Sequence, residues 1–118
     1  MECEQIDFQK EYKKEMRAVQ DSMDVLSGKW KIPIISSLCY YNSRRFSDIL
    51  NDIDGISNRM LSKELKELEI NLLVKRTVID SQPVSVHYKL TDHGLTLRKI
   101  INLLTEWGVG HRKVIVES

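Results

Sequence analysis

The chain lacks most of the features by which a sequence announces its chemistry. No apolar run among its 118 residues approaches the roughly 18 to 20 needed to cross a bilayer, so no membrane span is expected. Only two cysteines occur, Cys3 and Cys39, too few and too far apart for a disulfide framework or a zinc knuckle. The five glycines are scattered and make no phosphate-cradling loop. Neither sign of charge dominates: 18 basic against 17 acidic side chains leave a net charge of +1, so a polyanionic partner must be argued from local placement. The opening MECEQIDFQKEYKKEM is too charged for a secretory signal, which places the chain in the cytoplasm as an expectation. There is no internal repeat. With 42% apolar and 30% charged residues, the composition is that of one ordinary domain with one core.

What is present is a run of short amphipathic pieces between Arg44 and Leu90. Phe46, Ile49, Leu50 and Ile53 give a short helix its core face, stopped at Asp54-Gly55. A longer helix follows, with Leu61, Leu65, Leu68 and Leu72 spaced four, three and four on one stripe, leaving Arg59, Ser62, Lys63 and Lys66 toward water. Ser57 is its natural cap, since a hydroxyl there can accept from a free N–H of the first turn, which then carries Asn58 and Arg59. Beyond it, Val84, Val86, Tyr88 and Leu90 alternate with Ser85, His87 and Lys89, the period of a half-buried strand. Two strands joined by a polar loop with Pro83 complete the piece. A helix pair followed by a hairpin is the outline of a winged helix-turn-helix, mainly α with a small β-hairpin.

Both flanks carry further stripes. Residues 1–15 are expected as a partly ordered arm, 16–112 as the domain and 113–118 as a tail. Met16, Val19, Met23 and Leu26 predict an amphipathic helix ending at Ser27-Gly28. A buried helix then runs through KWKIPIISSLCYY, with Trp30, Ile34, Ile35, Leu38 and Cys39 inward and Pro33 in its first turn. Thr91 can cap a last helix in which Leu97, Ile101 and Leu104 form one stripe and Ile100, Leu103 and Trp107 a second beside it. That arc is wider than a small domain needs, and spare apolar surface of this kind points to a partner.

Several residues fit nucleic-acid chemistry. Asn and Arg make paired bonds to adenine and guanine edges in the major groove, and Asn58 and Arg59 lie at the helix end that meets bases in this motif. Against this stands a plainer reading, in which Arg59, Lys63 and Lys66 form a solvated face with Glu64, Glu67 and Glu69. Arg44, Arg45, Lys75, Arg76 and Lys89 tilt the balance, because they flank the helix pair and the wing where phosphates would run. The wing tip, Ser81-Gln82, is polar and uncharged and encodes no arginine for the minor groove.

An enzyme would need a nucleophile, a base and an orienting group within reach of one another. The candidates Cys39, His87, His93 and His111 show no such grouping, and no pair has metal-ligand spacing. A free cysteine on a core helix is more often a small hydrophobe than a nucleophile. No catalysis, cofactor or metal is expected.

As a set, SGKWK at 27–31, RRFSDIL at 44–50, GISNRMLSKELKELE at 55–69, LVKRTV at 73–78, VHYKLTDHG at 86–94 and EWG at 106–108 resemble the HxlR-type regulators, bacterial relatives of the MarR-like winged helix-turn-helix proteins. The resemblance covers roughly residues 17–108 in order. It implies a homodimeric, cytoplasmic transcription factor that binds double-stranded DNA and pairs through its first and last helices. On this chain those are the segments with spare apolar surface: Met16, Val19 and Met23 in the first, Ile100, Leu103, Leu104 and Trp107 in the last. The DNA-contacting set is then Arg44, Arg45, Ser57, Asn58, Arg59, Ser62, Lys63, Lys66, Arg76 and Lys89. Many members of the family carry a Cys-Pro about a dozen residues before the Lys-Trp pair, a thiol that senses oxidants in several; here those positions read Arg17-Ala18. A second departure is His87, where an acidic residue is common.

Three functions therefore compete: a dimeric regulator on an inverted-repeat operator, a winged-helix module that binds protein and has lost DNA, and a sensor of a small effector held between the dimer helices near Trp30 and Trp107. The plainest alternative for the apolar stripes themselves is that they close the monomer's own core.

Overall fold

A computed structural model of the chain describes residues 2–118, and side chains from Asp7 onward. In chain order the elements are α1 (Glu2–Leu26), α2 (Lys31–Tyr40), β1 (Arg44–Arg45), α3 (Phe46–Asp52), α4 (Asn58–Ile70), β2 (Val74–Ile79), β3 (Ser85–Leu90), α5 (Asp92–Leu95) and α6 (Arg98–Glu117). The strands form one antiparallel sheet in the order β1-β3-β2. β2 and β3 are the expected hairpin. β1 is additional: two residues are too short to show an alternation, and only pairing with β3 makes them a strand.

The core is built where the three middle helices meet the sheet. α2 contributes Ile34, Ile35 and Leu38, α3 contributes Ile49, and α4 contributes Leu61, Leu65 and Leu68. Leu73, Val74 and Leu90 close it from the sheet, while Leu97 and Ile101 bring in the start of α6. Each chain reversal has a local cause. Gly28 and Gly55 hold positive φ after α1 and α3, a conformation that costs glycine nothing. Ser57 Oγ accepts from Met60 N at 3.1 Å to open α4, and Thr91 Oγ1 accepts from Gly94 N at 2.9 Å to open α5. At Gly94 the backbone runs so close to the Leu73 carbonyl that a Cβ would overlap its oxygen.

Four expectations are corrected. Residues 2–15, expected as a partly ordered arm, are helical: α1 begins at Glu2, because Phe8 and Tyr12 extend the Met16, Val19, Met23 stripe backward at a spacing of four. The stretch 113–118 is not a tail either, since α6 runs to Glu117. The last helix is two helices, α5 and α6, parted at Thr96-Leu97. Leu72 does not belong to the α4 stripe; it is 70% exposed with φ +62, past the helix end. There Leu73 N bonds Leu68 O at 2.9 Å and Leu72 N bonds Glu69 O at 3.0 Å, the paired reversal that ends a helix through a left-handed residue. Leu73 takes the core place instead.

Candidate nucleic-acid interface

α4 presents three sides. Leu61, Leu65 and Leu68 face the core, and at about 100° per residue Arg59, Lys63 and Lys66 fall opposite them, exposed, with Ser62 beside them. Asn58 and Arg59 occupy the exposed first turn behind the Ser57 cap.

The third side removes Glu64, and in part Glu67, from the solvated face. Glu64 is buried and Glu67 half-buried, and both carboxylates lie 2.6 Å from the ammonium of Lys31, which is itself buried at the start of α2. Burial alone would push the Lys31 pKa down, but the bonds and charges of the two carboxylates outweigh it and hold the ammonium above its ordinary value. The Lys31 bond and charge in turn hold the Glu67 carboxyl below the usual range. With Glu64 and Glu67 engaged by Lys31, Glu69 is the one acidic residue of α4 left in the exposed class with Arg59, Lys63 and Lys66. Sequence reasoning missed Lys31. Its signal was a lone charge opening an otherwise apolar helix, but the partners lie some thirty positions away.

The sheet separates the other predicted cations. Paired residues share a face, so Arg45, His87 and Thr77 line one row of the outer side, with Lys89 opposite Lys75 in the next. Two lysines facing each other repel, a cost that a phosphate would relieve. Arg76 pairs with Tyr88 on the other side of the wing. Arg44 is turned inward instead. It is half-buried, 3.5 Å from the Asp52 carboxylate, donates to the Asp48 carbonyl at 3.4 Å, and lies 3.8 Å over the Tyr41 ring. It ties α3 to the chain before it rather than reaching outward. His87 is likewise held, with Nε2 2.9 Å from Ser85 Oγ and Nδ1 3.3 Å from Ser43 Oγ, linking β3 to the approach of β1.

The predicted pairing residues are uncovered. Met16, Val19, Met23, Ile100, Leu103, Leu104 and Trp107 are between 46% and 68% exposed, so they do not close the monomer's own core. Phe8 and Tyr12 prolong the first stripe, and Val114 and Ile115 the second, all in solvent. The pocket expected between the dimer helices near Trp30 and Trp107 would need a second copy; within one chain an open groove follows Ile100, Leu103, Leu104, Glu106 and Trp107 along α6, and Trp30 is not among its lining residues. The residues weighed for catalysis stand on four different elements, Cys39 on α2, His87 on β3, His93 on α5 and His111 on α6. Burial pushes the half-buried Cys39 thiol up, against a smaller opposing pull from Arg98. The side chain of Cys3 lies outside the described residues. Among the described residues no helix is long and apolar enough to cross a membrane.

Residues 25–115 match the family model of the HxlR-like helix-turn-helix. Curated relatives include an HTH-type transcriptional regulator of Halalkalibacterium halodurans, 39% identical over 84% of this chain and 92% of its own, and the HTH-type regulator YtcD of Bacillus subtilis, 33% identical over 86% and 79%. Among solved structures, the redox regulator HypR in its reduced form superposes with a TM-score of 0.79 at 34% identity, covering 86% of this chain and 99% of that one. The reduced form of YodB from B. subtilis superposes with a TM-score of 0.68 at 35% identity, covering 75% and 85%.

Proposed function

The chain belongs to the HxlR-like helix-turn-helix family of transcriptional regulators, which are not enzymes, and from that premise we propose that it acts as a homodimer on an inverted-repeat operator. In this reading α4 enters the major groove. Arg59, with Asn58 beside it, meets base edges, and Ser57, Ser62, Lys63 and Lys66 contact the flanking backbone. Arg45, Lys75 and Lys89 face phosphates from the outer side of the sheet. Arg44 serves by fixing α3, and Arg76, on the other face of the wing, is left out of the set.

One observation carries the proposal: the basic face of α4, from which Glu64 and Glu67 are drawn toward Lys31, is joined in the same chain to two long helices whose apolar stripes no other described residue covers. A single recognition helix reads only a few base pairs, and two-fold pairing through α1 and α6 supplies the second. A thiol switch is no part of the reading, since Arg17-Ala18 stands where the family resemblance would put a sensing cysteine and burial pushes the Cys39 thiol up.

The test is to select duplexes from a random library with the protein and to sediment it at micromolar concentration. The expected result is a dimer that enriches an inverted repeat whose half-sites lie about one helical turn, roughly 34 to 36 Å, or a multiple of that apart. A monomer, or a dimer that enriches no sequence over competitor DNA, would defeat the reading and leave a protein-interaction module as the better account.

A further inference from the structure

We propose that Lys31 is a positioning residue for DNA recognition: bracketed by Glu64 and Glu67, it sets the roll of α4 about its own axis and so decides where Arg59 points. The inference rests on α4 being the recognition helix, and it concerns a residue that touches no DNA.

Leu61, Leu65 and Leu68 hold α4 against α2 and the sheet, but apolar packing is non-directional, and a buried charge contact can add a specificity that a leucine stripe alone does not. A close pair of opposite charges in the interior tolerates far less separation. Glu64 and Glu67 are three residues apart and so share one side of the helix, next to the leucine stripe. Both carboxylates reach the same ammonium at 2.6 Å, so a roll of α4 that carries either one away from Lys31 loses a close ion pair. Lys31 itself is fixed, because it is buried in the first turn of α2, next to the inward Ile34 and Ile35.

The magnitudes make this consequential. Side chains reach about 5 to 6 Å from a helix axis, so a roll of ~20° carries the outward tips through about 2 Å. Hydrogen bonds to base edges hold over a window of roughly half an ångström in donor–acceptor distance, so such a roll would break them. Phosphate contacts from long, mobile lysines would follow the movement. A buried ion pair is weak evidence for stability, since apolar replacements often serve as well, but it can single out one geometry among several of similar energy. The expected signature is therefore a loss of sequence preference without a loss of stability or of general DNA affinity.

The test uses the full-length protein, the duplex it selects most tightly and a random duplex of equal length. In the triple variant Lys31→Met/Glu64→Met/Glu67→Gln the buried charges go together, so no unpaired ion remains in the interior. It should unfold no earlier than wild type and bind random DNA at least as tightly, with the same salt dependence. Its selected-to-random affinity ratio should fall about tenfold, the scale of one lost base contact. Lys31→Arg, which can still bridge both carboxylates, should keep the ratio. Glu67→Gln alone, at the half-exposed end of the bracket, leaves the Lys31–Glu64 pair in place and should cost the ratio severalfold, which keeps the question open to test if the triple variant does not fold. An undiminished ratio in a folded triple variant, or in Glu67→Gln, overturns the role of Lys31 while leaving the DNA reading intact. A wild-type protein with no sequence preference overturns both.

Discussion

The segment from Lys31 to Leu90 and the two helices that enclose it obey the same apolar spacing with opposite outcomes. In the first, a stripe such as Leu61, Leu65 and Leu68 is wholly buried by neighbours in the same chain. In the second, Met16, Val19 and Met23 on α1 and Leu103, Leu104 and Trp107 on α6 stay in solvent, and Ile101 alone in α6 is buried. The shape shows the same division. The radius of gyration is 18.3 Å and the long axis 69 Å, where a compact chain of this length would have a radius of about 13.5 Å. An amphipathic stripe says that a face is to be covered, and only the rest of the fold says whether the cover comes from the same chain.

The largest expected effect breaks the uncovered region. Leu103→Glu places a charge in the middle of the α6 face without touching the core, because Leu103 is 62% exposed. The variant should keep its helical circular dichroism, sediment as a monomer, and bind the selected duplex about 100-fold more weakly or worse, the scale lost when two linked sites become one. A dimer of undiminished affinity would show that the stripe is covered by something other than a second copy.

Breaking the covered region should give the converse. Gly94→Ala forces a methyl onto the Leu73 carbonyl, where Thr91 N also bonds at 3.0 Å and Thr91 Oγ1 donates to the Leu72 carbonyl at 2.6 Å. Neither backbone can yield without undoing the junction between β2, β3 and α5. A loss of about 3 kcal/mol is expected, seen as a lower urea midpoint with an unchanged slope. A midpoint equal to wild type would mean that the junction relaxes freely.

The same contrast explains what could be read from the sequence. The Ser57 and Thr91 caps, the left-handed Gly28 and Gly55, and the α4 leucines are local, and a window of a few residues contains their whole cause. β1 was not legible, since Arg44 and Arg45 become a strand only beside Tyr88 and His87. Nor was the fate of the charges on α4: Glu64 and Lys66 look equivalent in sequence, and the position of Lys31 in space makes one buried and leaves the other free. Arg44 and Arg45 are neighbours in sequence with opposite fates for the same reason, one drawn onto Tyr41 and Asp52 and the other left on the outer face. The apolar arc of α6 was legible as a surplus. Its partner was not, because one chain's periodicity carries no information about a second chain.

Within the proposed interface the two kinds of cation should separate. Arg59→Ala should cost about 1 to 3 kcal/mol on the selected duplex and relax the preference at one base pair. Lys66→Ala should weaken all duplexes alike and reduce the slope of log affinity against log salt by about one. Titrations on selected and random duplexes at several salt concentrations measure both. Equal losses on both duplexes for both variants would remove the assignment of Arg59 to a base.

The smallest effect sharpens the boundary of the covered region at Leu72, a leucine held at φ +62 with its side chain largely in water. A left-handed backbone costs a residue with a Cβ about 1 to 2 kcal/mol, and glycine almost nothing, though glycine brings more entropy to the unfolded chain. Little packing is lost on truncation, since the core contact at this helix end belongs to Leu73. Leu72→Gly should therefore stabilise the protein by about 0.5 to 1 kcal/mol, raising the urea midpoint without altering sedimentation or the selected-to-random ratio. A destabilised variant would mean that Leu72 packs against something one chain does not contain. The partner surface would then extend from α1 and α6 to the end of the recognition helix.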